Sequence, residues 1–153
     1  MSATLHLVCG LPGSGKTTLA LQLEKKHSAV RLCPDEWMDS LGTGLGDEEL
    51  RARIERLQWT VGLRLLTLGV PVIVEWGTWG ADEREALRQD AARSGAETEL
   101  YLLDPPLDVL WERVQRRGIE SPAVTLDDLS RWSEAFQRPD AEELARYSRV
   151  HVV

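Results

Sequence analysis

Eight consecutive residues near the N-terminus, Gly10-Leu11-Pro12-Gly13-Ser14-Gly15-Lys16-Thr17, match the pattern G-x-x-x-x-G-K-[ST] at every fixed position. That spacing suits the binding of a polyphosphate. The glycines let the backbone curl into a nest whose N–H groups converge on phosphate oxygens, and a helix opening near Lys16 adds its positive end. Lys16 has the reach for the β- and γ-phosphates, and the Thr17 hydroxyl is a ligand for Mg²⁺. Gly10, Leu11, Pro12, Gly13, Ser14, Gly15, Lys16, Thr17 and the following Thr18 are therefore the expected nucleotide-binding residues, with Lys16 also catalytic. The nucleotide is expected to be ATP. A guanine-reading N-K-x-D or T-K-x-D segment is missing, since the chain has no asparagine and neither Lys16, Lys25 nor Lys26 precedes an aspartate at the right spacing.

The motif needs a strand before it and a helix after it, and the pattern supplies both. Leu5-His6-Leu7-Val8-Cys9 is an apolar run, and residues 17–27 follow a helical period. Residues 30–33 form a second short strand stopped by Pro34, with a brief helix over 35–41 and a Gly42-Thr43-Gly44-Leu45-Gly46 loop. Asp47 caps a long helix in which Leu50, Ile54, Leu57, Val61, Leu65 and Leu68 fall at three- and four-residue steps, ended by Gly69 and Pro71. Residues 70–74 read as a fully apolar strand of the kind buried in a parallel sheet. Helices over 81–94, 107–117, 126–136 and 140–147 then alternate with strands over 98–103 and 150–153. Strands alternating with helices imply an α/β fold with a parallel sheet, whose functional loops share the edge at the strand C-termini.

The 153 residues suit a single domain spanning 1–153, with no internal repeat or linker. No apolar run approaches the roughly 20 residues of a membrane span, the N-terminus has no signal-peptide pattern, and Cys9 and Cys33 lack metal-ligand spacing. A cytoplasmic protein with reduced thiols and no membrane partner is expected. The net charge of −7 argues against an extended nucleic-acid footprint, leaving Arg113, Arg116 and Arg117 as one local basic cluster.

Asp35 follows the second strand and so falls on the same edge as the phosphate loop. A carboxylate there can accept the proton of an attacking hydroxyl, or it can simply cap the short helix after Pro34. At this point the chain resembles a known group. Gly10 to Thr18, Cys33-Pro34-Asp35-Glu36 and the apolar strand leading to Glu75 are similar to small P-loop kinases related to zeta toxins, chloramphenicol phosphotransferase and the kinase domain of phage polynucleotide kinase, an AAA-type ATP-binding kinase group. The likeness continues through Trp111-Glu112-Arg113-Val114-Gln115-Arg116-Arg117-Gly118 and Phe136-Gln137-Arg138-Pro139.

The resemblance implies a five-stranded parallel sheet in the adenylate-kinase-like order 2-3-1-4-5, with helices on both faces, and Asp35 as catalytic base. It puts Glu75 at the Walker B position, where it holds Mg²⁺ directly or through water, contacts the acceptor, or is an exposed strand-end carboxylate. It also implies lid arginines, Arg117 and Arg113 ahead of Arg116, which as cationic forks clamp transferring phosphates or merely complement a helix C-terminus. Arg138 is implied as an adenine-side contact.

Six tryptophans stand against two tyrosines and one phenylalanine. Trp37, Trp76 and Trp79 belong to the expected active edge and either wall an acceptor pocket together with Asp35 or fill gaps beneath the loops. The Gly42 to Gly46 loop and the acidic Asp47-Glu48-Glu49 read as a mobile cover suited to a neutral or cationic acceptor. The function expected is transfer of the ATP γ-phosphate, with Mg²⁺, to a hydroxyl of an antibiotic, nucleoside or sugar-like metabolite. The alternatives are a polynucleotide 5′-hydroxyl kinase and a non-catalytic ATP-binding switch. The sequence leaves oligomeric state open.

Overall fold

Apolar runs of four to seven residues separated by amphipathic helices leave one economical solution, a sheet buried between two helical layers. The structure, a computed structural model, describes residues 2–44, 46–118 and 123–153; Leu45 of the glycine-rich loop lies outside them. In chain order the elements are β1 (Thr4–Gly10), α1 (Lys16–His27), β2 (Val30–Leu32), α2 (Pro34–Ser40), α3 (Glu48–Thr67), β3 (Val72–Gly77), α4 (Ala81–Arg93), β4 (Glu97–Leu103), α5 (Leu107–Arg117), α6 (Leu126–Ala135), α7 (Ala141–Leu144) and β5 (Arg149–Val152). All strand pairings are parallel, in the order β2-β3-β1-β4-β5, as the resemblance implies. β1 and β3 are buried almost throughout, with Leu5, Leu7, Val8, Cys9, Val72, Ile73 and Val74 fully sequestered.

Three elements differ from the sequence expectation, two in their boundaries and one in the face it buries. β3 runs on through Glu75 to Gly77, because its register with β1 shifts between Leu7 and Cys9 and brings Cys9 opposite Gly77. The last helix spans only Ala141–Leu144, because Ser148 donates its backbone N–H and its hydroxyl to the Thr98 carbonyl at 3.0 and 3.1 Å, pulling the chain into β5. Helix α3 has the expected Asp47 cap, accepting from the Leu50 N–H at 3.0 Å, but it buries Ile54, Gln58, Gly62 and Leu66 while Leu57, Val61 and Leu68 stay exposed. A polar and a side-chain-free residue on the buried face mask its periodicity. Gln58 accepts from the Trp76 indole at 3.0 Å, and at Gly62 even a Cβ would lie 3.0 Å from Leu32.

The loop after β3 is fixed by a fully buried guanidinium. Arg84 of α4 forms a bidentate pair with Glu143 at 2.7 and 2.8 Å, and also donates to the carbonyls of Thr78 (2.8 Å), Trp79 (3.0 Å) and Gln137 (2.6 Å). The Cys9 thiol donates to the Thr78 carbonyl as well, at 3.2 Å. Thr78 is thereby held at φ 46°, in the left-handed region that a β-branched residue avoids. Removing one partner of such a pair strands the other charge, so Arg84→Ala is expected to lower the urea unfolding free energy by about 3–5 kcal/mol. A loss below about 1 kcal/mol, the range of an exposed ion pair, would show that the pair does not organise this loop.

Candidate active site

The phosphate loop connects β1 to α1 with a geometry that only its glycines permit. Gly13 and Gly15 adopt φ 84° and 97°. A Cβ on Gly10 would lie 2.6 Å from the Ser14 hydroxyl and 2.7 Å from the Leu103 carbonyl. The Trp79 indole braces this point from the β3–α4 loop, donating to the Gly10 carbonyl at 3.2 Å. Lys16 opens α1 and donates its ammonium to the Leu11 carbonyl at 3.1 Å. Beside it lies a pocket of about 350 Å³ lined by Gly13, Gly15, Thr17, Thr18, Arg113 and Arg117.

Four charged groups act on the Lys16 ammonium. Burial pushes its pKa down to about 8; Glu75 and Asp35 pull it back up, while Arg51 and Arg117 lower it further. The field at one atom thus brings together residues of five segments: the P-loop, α2, α3, β3 and α5.

Glu75, in the C-terminal half of β3, is 5% exposed. Its Oε1 accepts from the Thr17 hydroxyl at 2.5 Å, and its Oε2 accepts from Arg31 at 2.7 Å. Arg31 is also ion-paired to Glu36 of α2. Glu75 is therefore neither an exposed strand-end carboxylate nor remote from the phosphate loop. Among the described residues no group of three or more His, Cys, Asp or Glu side chains could hold a metal. One hydroxyl and one carboxylate at a phosphate site are nonetheless the donor set that suits Mg²⁺, which takes few protein ligands and completes its shell with phosphate oxygens and water. Thr17 and Glu75 fit that group.

Asp35 lies in the first turn of α2 with its side chain half exposed. Its Oδ1 is ion-paired to Arg51 of α3, which also donates to the Trp76 carbonyl at 3.4 Å and contacts Glu55 at 3.2 Å. The second carboxylate oxygen of Asp35 carries no bond to Arg51. The arginine-bearing helix divides by face. Arg113 donates to the Gly13 and Ser14 carbonyls at 3.3 and 3.4 Å, backing the loop, and Arg117 lines the pocket, whereas Arg116 pairs outward with Glu112 at 2.6 Å. Arg138 is engaged with Asp104 at 2.6 and 3.0 Å and lies over the Phe136 ring. Trp37 is half-buried on α2, while the Trp76 and Trp79 indole N–H groups are spent on Gln58 and Gly10.

Sequence reasoning missed Arg31, Arg51 and Arg84. Two had a signal. Arg31 stands inside a three-residue strand, where a charge needs a partner, and Arg84 shares the helical stripe of Leu87 and Ala91. Arg51, one turn before Glu55 on α3, looks like any exposed helix pair.

A strand, glycine nest and helix on a parallel sheet of order 2-3-1-4-5, with a carboxylate bonded to the loop threonine, define a P-loop nucleotide-binding fold of the kinase type. Residues 5–139 match the family described as the AAA domain, and the chain belongs to that family. A search of the curated proteins finds no match. Among solved structures the chain is similar to a gluconokinase from Sinorhizobium meliloti 1021 (20% identity, 99% of this chain and 82% of that one, TM-score 0.64). It is also similar to the Mycobacterium tuberculosis APS kinase CysC in complex with AMPPNP and APS (23%, 99% and 88%, 0.66). A third likeness is to a chain of the Pnkp1/Rnl/Hen1 RNA repair complex, of which this protein spans 44% (18% identity, 89% of this chain, TM-score 0.77).

The state of Lys16 generates a pH dependence. A bound polyphosphate stabilises the ammonium, so the pKa of about 8 in the free protein rises on binding. ATP affinity is expected to be flat below pH 8 and to weaken above it by up to about tenfold per pH unit, with proton uptake on binding. Calorimetry from pH 6.5 to 9.5 in two buffers of different ionisation enthalpy measures both. Affinity that stays constant to pH 9.5 with no proton uptake would contradict it.

Proposed function

We propose that the protein is an ATP-dependent phosphotransferase that moves the γ-phosphate to a hydroxyl of a small-molecule acceptor. The observation that carries this reading is the arrangement around Lys16: a bonded Thr17–Glu75 pair on one side and the Asp35 carboxylate, steadied by Arg51, within its field on the other. The nest of Gly10 to Gly15 and the start of α1 hold the β-phosphate, and Lys16 bridges toward the γ-phosphate. Thr17 and Glu75 hold Mg²⁺, which when bound neutralises charge on the phosphates. Arg51 occupies one oxygen of Asp35, so the other is available to accept the proton of the acceptor hydroxyl as it attacks in line. Arg117, with Arg113 behind the loop, neutralises charge on the transferring group.

The acceptor stands beside α2 and the β3–α4 loop, with Trp37, Trp76 and Trp79 as walls. Three carboxylates gather there around the single guanidinium of Arg51: burial foremost raises the pKa of Glu55, Arg51 pulls it down, and the charges of Glu83 and Asp35 push it back up. That balance favours a neutral or cationic hydroxyl compound. A polynucleotide 5′-hydroxyl kinase is the second reading, favoured by the likeness to the RNA repair complex chain and opposed by the net charge of −7.

The test is transfer of label from γ-labelled ATP to a panel of nucleosides, oligonucleotides, aminoglycosides, peptides and sugars. One acceptor is expected to take label, and Asp35→Asn is expected to slow that transfer by about 10²- to 10⁴-fold with ATP binding retained. ATP bound normally with no acceptor labelled would favour the non-catalytic switch, and salt-sensitive labelling of oligonucleotides alone would favour the polynucleotide reading.

A further inference from the structure

Arg31 contacts neither the phosphate loop nor Asp35 in the structure's hydrogen bonds, yet it touches the residues that flank both. Its Nη1 donates to Glu75 Oε2 at 2.7 Å, and its Nη2 is ion-paired to Glu36, the neighbour of Asp35. Glu75 Oε1 in turn accepts from Thr17. A continuous chain of bonds, Thr17–Glu75–Arg31–Glu36, therefore runs from the loop threonine to the helix that carries Asp35. We propose that Arg31 is a positioning residue for the metal end of the site: it fixes Glu75 so that Oε1 faces Thr17 and the Mg²⁺ of a bound nucleotide. This rests on the reading of that end as an Mg²⁺–triphosphate site.

The register explains the reach. Arg31 lies opposite Ile73 on β3, two residues before Glu75 and on the same face of the sheet, so a long side chain is needed to meet the carboxylate diagonally. β3 lies between β2 and β1. Arg31 thus holds Glu75 from the β2 side, while Thr17 and Lys16 act on it from the β1 side. A glutamate has one more rotatable bond than an aspartate in that position. With Lys16 nearby, an unanchored carboxylate is free to turn toward the ammonium and leave Thr17. The side chains of Arg31 and Glu75 are only 10% and 4% exposed, so water screens the clamp weakly. Groups that orient the ligands of a metal change its affinity without touching it.

The experiment measures binding of a fluorescent ATP analogue as Mg²⁺ is raised, and again in EDTA, for wild type, Arg31→Gln and Arg31→Lys. For Arg31→Gln the Mg²⁺ concentration giving half of the metal-dependent gain in affinity is expected to rise about 10- to 100-fold, with affinity in EDTA unchanged within about twofold. Arg31→Lys keeps the charge but offers a point contact instead of a fork. It is expected to melt near the wild-type temperature and still raise the requirement severalfold, so the test survives a glutamine variant that fails to fold. An unchanged Mg²⁺ requirement in the variants overturns the proposal, as does an equal loss with and without Mg²⁺, which marks a purely structural ion pair. A wild-type protein whose ATP affinity ignores Mg²⁺ overturns the underlying metal-site reading, a result distinct from a wild-type dependence that persists in the variants.

Discussion

A carboxylate cannot sit buried within a central strand unless its charge is met, and Glu75 of β3 is the buried charge around which the sheet edge beside the phosphate loop is arranged. Desolvating such an ion costs several kcal/mol unless good geometry returns it. Glu75 meets that requirement through Thr17 on one side and Arg31 on the other. Those partners belong to the segments after β1 and within β2, so the strand order 2-3-1 is the arrangement that satisfies the charge. The same order brings Asp35, just beyond β2, within the electrostatic reach of Lys16. The ion pair and the topology are thus one constraint seen at two scales.

A second buried charge fixes what the first leaves loose. Arg84 ties the loop after β3 to α7 and to the backbone at Gln137 through five polar contacts, and that loop supplies Trp79, whose indole reaches the Gly10 carbonyl. The nest is therefore held from outside as well as by its own glycines. Arg113 adds a third support at the Gly13 and Ser14 carbonyls. A loop whose N–H groups must present a fixed concavity to an anion needs such backing, because its conformation, with positive φ at Gly13 and again at Gly15, carries no repeating hydrogen-bond ladder of its own.

Much of this was legible in the sequence, for reasons that vary with the element. The P-loop declares itself because its chemistry demands particular residues at fixed spacing within strand, turn and helix. The central strands β1 and β3 were visible because a parallel sheet covered on both faces reads as nearly continuous apolar runs. α3 was visible as a helix but not in its orientation, since Gln58 and Gly62 occupy its buried face and leucines its exposed one. The arginine partners were hidden because an ion pair links residues far apart in the chain: Arg31 lies 44 positions from Glu75 and Arg84 59 from Glu143. Periodicity reports local faces and cannot report such pairings.

The central claim is that Lys16, set in the nest, holds the phosphates of ATP. Titration calorimetry of ATP into wild type and Lys16→Ala, both verified as folded by circular dichroism, tests it most directly. A hydrogen bond to a charged group contributes roughly 1.5–3 kcal/mol, so binding is expected to weaken by about tenfold to a hundredfold in the variant. Equal ATP affinity in the two proteins would place the nucleotide elsewhere and contradict the account.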